Sequence, residues 1–194
     1  MTTKHTTIIL SALLLASSVI TSCKKNILDT VPNDRLSTDY FWKTEADAKL
    51  AVNAIYPFLD GTNIFVWDGT SDIGHTNAPF LVEALLEQGV YDALNSRIQT
   101  EWSNAYSGIA AANFVLDNID KVPSTNTALI NQFKGEAKAL RAYQYIKLAA
   151  FYGDIPLVTK SISIEEGRQL IRTPVTQVWD FVDKELTEAA SLLP

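Results

Sequence analysis

The sequence predicts an all-α domain built from antiparallel helix pairs. Three observations carry this. Four segments place apolar residues at helical spacing, which gives each a buried stripe. Gly, Pro, Asn and Ser cluster between those segments, as connections require. A single stretch, Ile155 to Ile164, offers either one short strand or an extended crossing. The spacing is loosely that of helical repeats, and no strict 34-residue identity is visible.

The first 22 residues are read as a signal. Lys4 and His5 precede an apolar run from Ile8 to Ile20, followed by Thr21, Ser22 and the chain's one cysteine, Cys23. A basic end, a short hydrophobic stretch and small residues are the order of a secretory signal. The run has 13 residues, and a bilayer span needs about 20. The small residues before Cys23 resemble a bacterial lipobox, which implies acylation of Cys23 and anchorage in membrane lipid. Residues 23–39 are polar, contain Pro32 and read as a tether. Residues 40–194 form the expected helical domain.

Thr44 opens its first helix, with Asp47 three residues on as an acidic capping box. Ala48, Ala51, Val52, Ile55, Phe58 and Leu59 follow at helical spacing, and Pro57 ends or kinks the helix near Tyr56. Gly61 to Pro79 reads as a loop. A short helix is expected over Phe80 to Gln88, capped by Asn77 and closed by Gly89. The second long helix is expected over Ser96 to Asn118, with Trp102, Ala105, Tyr106, Ile109, Asn113 and Leu116 on one face. The third is expected over Asn126 to Tyr152. Phe133, Ala137, Leu140, Gln144, Leu148 and Phe151 mark one side, and Ala139, Ala142, Ile146 and Ala149 a second. A helix apolar on so much of its surface lies between neighbours. Gly153 stops it. Thr173 as N-cap and Pro174 at the first helical position open the fourth, continued by Val175, Val178, Val182, Leu186, Ala189 and Leu193.

Composition narrows function by exclusion. The formal charge is −6, and removing residues 1–22, which hold Lys4 and no acid, takes it to −7. No basic stripe appears, so nucleic acid is not an expected partner. A single cysteine forbids an intrachain disulfide. His75 is the one histidine after the signal, so no two-histidine metal motif exists, and no cofactor is expected. No G-x-S-x-G occurs. Residues 69–76, GTSDIGHT, approach a phosphate-binding loop but hold His75 where the terminal phosphates need Lys. Glu165 with Glu166, or Asp180 with Asp183, are better read as solvated surfaces than as a glycosidase pair. No enzyme chemistry is expected.

Two segments carry a family resemblance. GEAKALRAYQYIKLAAFYGDIPL, residues 135–157, and WSNAYSGIAAANFVLDNI, residues 102–119, resemble patterns of the SusD/RagB family of outer-membrane lipoproteins. The stretch after Cys23, DTVPNDRLSTDYFWKTEADAKLAVNAIY, and the final RTPVTQVWDFVDKELTEAASLLP are similar to it in order and spacing. The resemblance implies a tetratricopeptide-like helical domain at the outer membrane, facing the cell surface. It implies capture of oligosaccharide and delivery to a SusC-like TonB-dependent transporter. Members of that family are usually longer, so the chain is read as their N-terminal portion. Lys24 and Lys25 depart from the acidic residues that favour surface export.

The candidate sugar site is the loop holding Trp67, Asp68, Asp72 and Asn77, with His75 among them. Sugar rings need a flat aromatic face, and their hydroxyls need carboxylates or amides. Trp102 and Tyr106 fit core spacing, with Trp102 possible as an exposed ring at its helix start. Arg141, in a buried-looking helix, and Asp154, after Gly153, are expected to be structural partners, as an ion pair or a cap. The competing reading is a lipid-anchored helical-repeat scaffold that binds protein and no sugar.

Overall fold

The structure, a computed structural model, describes residues 41–61, 67–75, 77 and 82–194. Cys23, the signal and the tether lie outside the described residues. Helix α1 spans Glu45–Asn53, α2 Val82–Glu87, α3 Ser96–Asn118, α4 Thr127–Tyr152, α5 Ile164–Arg168 and α6 Val175–Leu192. Short 3₁₀ turns cover Tyr56–Phe58 and Ile119–Lys121. Among the described residues there is no strand, and Ile155 and Thr173 form an isolated antiparallel bridge. The all-α expectation holds, and residues 155–163 are an extended crossing that ends where α5 begins.

Local chemistry sets the helix ends. The Asp47 amide donates to Thr44 Oγ1 at 3.2 Å, and the Thr44 amide donates back to Asp47 Oδ2 at 2.8 Å. That reciprocal box starts α1. The Thr44 side chain's hydrogen bond holds the Asp47 carboxyl below its usual value. Pro57 lacks an amide hydrogen, so the chain passes into a 3₁₀ turn at Tyr56. Asn95 and Asn126 cap α3 and α4 through their side-chain oxygens. Gly153 ends α4 at φ 67°, a conformation open to glycine at little cost.

The start of α6 departs from expectation. Thr173 does not cap it. Its backbone is committed to the bridge with Ile155, and Pro174 sits at the N-cap position without a side-chain bond. The Val175 amide donates instead to Asp154 Oδ1 at 2.8 Å. Capping therefore comes from a carboxylate 21 residues earlier in the chain. The short helix α2 is described over Val82–Glu87, and the start expected for it at Phe80 lies outside the described residues.

Helix α4 lies at the centre and touches α1, α3 and α6. Glu101 and Asn113 of α3 pair with Lys147 and Arg141 of α4, and Asp120 in the 3₁₀ turn after α3 pairs with Lys134, so these helices are antiparallel. The α4–α6 contacts pair Tyr145 with Phe181, Arg141 with Glu185 and Lys138 with Glu188, again antiparallel. One apolar cluster joins Val52, Val115, Phe133 and Ala137 from α1, α3 and α4 with Ile55 and Ile119, which follow α1 and α3. A second joins Ile109, Tyr145, Leu148, Ile155, Val178 and Val182 from α3, α4, the crossing and α6. Both faces expected on α4 are thus used, except at Phe151, which is 50% exposed.

Candidate functional site

The loop after α1 folds back on itself. The Thr70 amide donates to the Trp67 carbonyl at 3.0 Å, and the Thr70 hydroxyl donates to the same oxygen at 2.9 Å. Gly74 passes close to the Asp68 carbonyl, where any Cβ would lie 2.1 Å from that oxygen. Only glycine fits there. His75 Nδ1 meets the Glu87 carboxylate and ties the loop to α2.

Trp67 is half-buried. Its indole stacks on Phe151 at the end of α4, with ring centres 4.5 Å apart and planes 23° apart. The Arg97 guanidinium of α3 lies 4.8 Å from the indole centre, a cation–π distance. Arg97 ends a ladder of alternating charge. Asp60 meets Lys147, Lys147 Nζ meets Glu101 at 3.0 Å, and Glu101 meets Arg97 at 3.0 Å. Glu83 of α2 lies 3.6 Å from Arg97. The Tyr143 hydroxyl donates to Asp60 at 2.6 Å, and burial first, then that carboxylate, pushes the phenol up to about 12. This ladder fixes the base of the loop to α3 and α4.

A cavity of about 470 Å³ opens beside Trp67. Phe151, Tyr91, Ile98 and Tyr152 give it apolar walls, and Thr70 and Asp92 add polar groups. Tyr91 is 56% exposed, so it and Phe151 present free ring surface. The Tyr152 hydroxyl donates to the Ile98 carbonyl at 2.7 Å, which fixes that wall. Asp92 Oδ1 accepts from the Leu94 amide at 2.8 Å, leaving its second oxygen for a ligand hydroxyl. The Trp67 Nε1 hydrogen is buried and has no partner among the described residues.

Of the four loop residues singled out in the sequence, Trp67 alone lines this cavity. Asp68, Asp72 and Asn77 are exposed and lie outside its lining. Sequence reasoning missed Phe151, Tyr91 and Asp92. Phe151 matched a core stripe, and the only available signal for the other two was an aromatic beside an acid in Tyr91-Asp92. Trp102 and Tyr106 behave as core-flanking rings. Their ring centres lie 4.9 Å apart, and Trp102 meets Tyr152 edge-on at 5.0 Å.

Arg141 and Asp154 do not pair. Arg141 is 4% exposed and turns to α6, where its Nε donates to Glu185 Oε2 at 2.7 Å. Its Nη2 meets the same carboxylate at 2.5 Å, and its Nη1 donates to the Asn113 side chain at 2.6 Å and the Thr159 carbonyl at 2.9 Å. Asp154 lies beyond the helix end and serves the Val175 amide. Around Arg141 a polar frame grips the crossing. Asn113 Nδ2 donates to the Val158 and Lys160 carbonyls, both at 3.0 Å. The Tyr145 hydroxyl donates to the Val158 carbonyl at 2.9 Å and accepts from the Val158 amide at 2.7 Å. Asn113, Arg141, Tyr145 and Asp154, all within the two family-like segments, are therefore structural.

The family model described as starch-binding, associating with the outer membrane, matches residues 62–194. The chain belongs to the SusD-like family. Among relatives of this SusD-like chain, SusD-like protein P38 of Formosa agariphila is 31% identical over 189 residues, covering 91% of this chain and 35% of that protein. SusD-like protein P25 of the same organism is 26% identical, covering 87% and 34%. The chain thus spans about a third of the length of the curated relatives it matches. Among solved structures, a SusD-like protein from Bacteroides fragilis superposes with a TM-score of 0.74 at 21% identity, covering 85% of this chain and 33% of that one. A laminarin-binding SusD-like protein gives 0.71 at 23%, covering 79% and 35%. These likenesses establish the SusD-like helical fold.

Proposed function

We propose that this chain captures oligosaccharide at the outer membrane as the N-terminal part of a SusD-like uptake system, with no chemistry of its own. The observation that carries the reading is the cavity beside Trp67. Stacked and half-exposed rings offer flat apolar faces, and Asp92 and Thr70 offer hydroxyl partners, which is the combination sugar rings need. The family's starch-binding description and a laminarin-binding structural relative support it. In this reading Cys23 carries the lipid anchor, a SusC-like TonB-dependent transporter receives the sugar, and the site faces the cell surface. Asp68, Asp72 and Asn77, at the rim of the loop, would meet the outer parts of a longer glycan.

The second reading, a protein-binding scaffold, is favoured by exposed Trp179 and Leu186 along α6. Calorimetry of the full chain against neutral and charged oligosaccharides separates the two. Weak binding is expected, with a Kd of about 1 mM, some −4 kcal/mol. Trp67→Ala should weaken it at least severalfold by removing the ring that packs between loop and α4. Micromolar binding insensitive to Trp67→Ala would move the site elsewhere. Absence of binding to any glycan would favour the scaffold.

A further inference from the structure

Four arginines lie among the described residues, and three have glutamate partners. Arg97 meets Glu83 and Glu101, Arg141 meets Glu185, and Arg168 meets Glu165. Arg172 has no ion-pair or hydrogen-bond partner among the described residues, although the chain holds 22 acidic residues against 16 basic ones. Its placement is not casual. The neighbouring Thr173 exchanges two backbone hydrogen bonds with Ile155, at 3.2 and 2.8 Å, so the backbone that presents Arg172 is held fast.

Arg172 lines a second cavity of about 380 Å³, together with Trp102, Tyr152 and Gln99. This cavity shares Ala93, Ile98 and Tyr152 with the one beside Trp67. The two adjoin along these residues, and aromatic rings line both parts of the groove so formed. Gln99 donates through its amide nitrogen to the Ala93 carbonyl at 3.1 Å, so its own oxygen stays available as an acceptor. Burial pushes the Tyr106 phenol up, and the Arg172 charge acts against that rise, which sets the guanidinium within electrostatic reach of the Trp102–Tyr106 pair. The groove is consequently polarised. Asp92 stands at the Trp67 end and repels anions, and the exposed guanidinium of Arg172, without a partner among the described residues, stands at the Trp102 end.

We infer that this groove selects oligosaccharides bearing an anionic unit, a uronate carboxylate or a sulfate ester, seated on Arg172 beside Trp102. The inference rests on the glycan-capture reading and adds the class of sugar. A planar guanidinium binds such oxyanions through two parallel hydrogen bonds, and neutral sugars give it no charge to meet.

The test is calorimetry of the full chain with three probes of equal length: a neutral glucan oligosaccharide, an oligogalacturonate and a sulfated glucan oligosaccharide. At least one anionic probe should bind about tenfold tighter than the neutral one, the ratio expected of a charge-assisted hydrogen bond. Arg172→Gln should erase that advantage without changing the melting temperature, and Arg172→Lys should restore part of it. Which anion gains identifies the oxyanion, uronate or sulfate. Equal affinities for all three probes, or an advantage that survives Arg172→Gln, would overturn the inference while leaving glycan capture standing if Trp67→Ala still weakens binding. Failure of every probe to bind would overturn both.

Discussion

At the scale of single residues, Arg141 and Tyr145 hold the centre of the chain. Arg141 is a buried cation whose donors are met by Glu185, Asn113 and Thr159. Removing one member of such a pair strands the other charge, whereas replacing both with apolar groups need not. Arg141→Met should lower stability by about 3–5 kcal/mol in urea denaturation, and Arg141→Met with Glu185→Leu should recover much of it. If the double variant is no better than the single one, Glu185 is not the partner that matters. Tyr145 is fully buried, and burial pushes its phenol up to about 12 from the usual 10.0. The folded state therefore keeps a proton that the unfolded chain releases near pH 10. The sign follows: this contribution is whole below pH 10 and is lost as pH rises through about 12. Tyr145→Phe should flatten the fall in melting temperature over that window, and an unchanged slope would assign the alkaline transition to Tyr143 or Tyr152, whose phenols burial also raises to about 12. That Arg141 is structural was legible from a cation inside an apolar helix. Its partner was not, because Glu185 lies 44 residues away and α6 shows several equivalent acids.

At the scale of elements, helices α3 and α4 follow their apolar period and their Gly, Pro and Asn punctuation almost to the residue. The start of α1 was equally legible, since both halves of its capping box lie within four residues. The start of α6 was misread because a local signal, Thr173-Pro174, was overridden by a distant carboxylate. Asp154 is the cap, brought there by the positive φ of Gly153 and the bridge between Ile155 and Thr173. Asp154→Ala should cost about 1 kcal/mol, the typical worth of an N-cap, and should speed hydrogen exchange at the first turn of α6. Thr173→Val should leave that turn unchanged. The reverse pattern would return the cap to Thr173. The candidate site was legible only in part for the same reason: Trp67 announced itself in a polar loop, but its cavity is closed by Phe151, 84 positions later, and by Tyr91 beyond α2.

At the scale of the whole molecule, three helices pack around α4, and the loop that bears Trp67 is fastened to the same helix through Lys147 and Phe151. The proposed lipid anchor at Cys23 would hold the chain at a membrane. Cys23→Ala is expected to shift the protein from the membrane to the soluble fraction on cell fractionation. Equal membrane retention of that variant would remove lipidation from the account. The crossing between α4 and α5 has a further consequence. Its residues form no helix or strand, yet Tyr145 grips both backbone groups of Val158, and Asn113 spans the Val158 and Lys160 carbonyls. Surface connections generally absorb insertions and deletions with ease. Here one residue gained or lost between Ile155 and Lys160 would throw all of these bonds out of step at once, so the stretch with the least regular backbone is the one whose length the protein is least free to change.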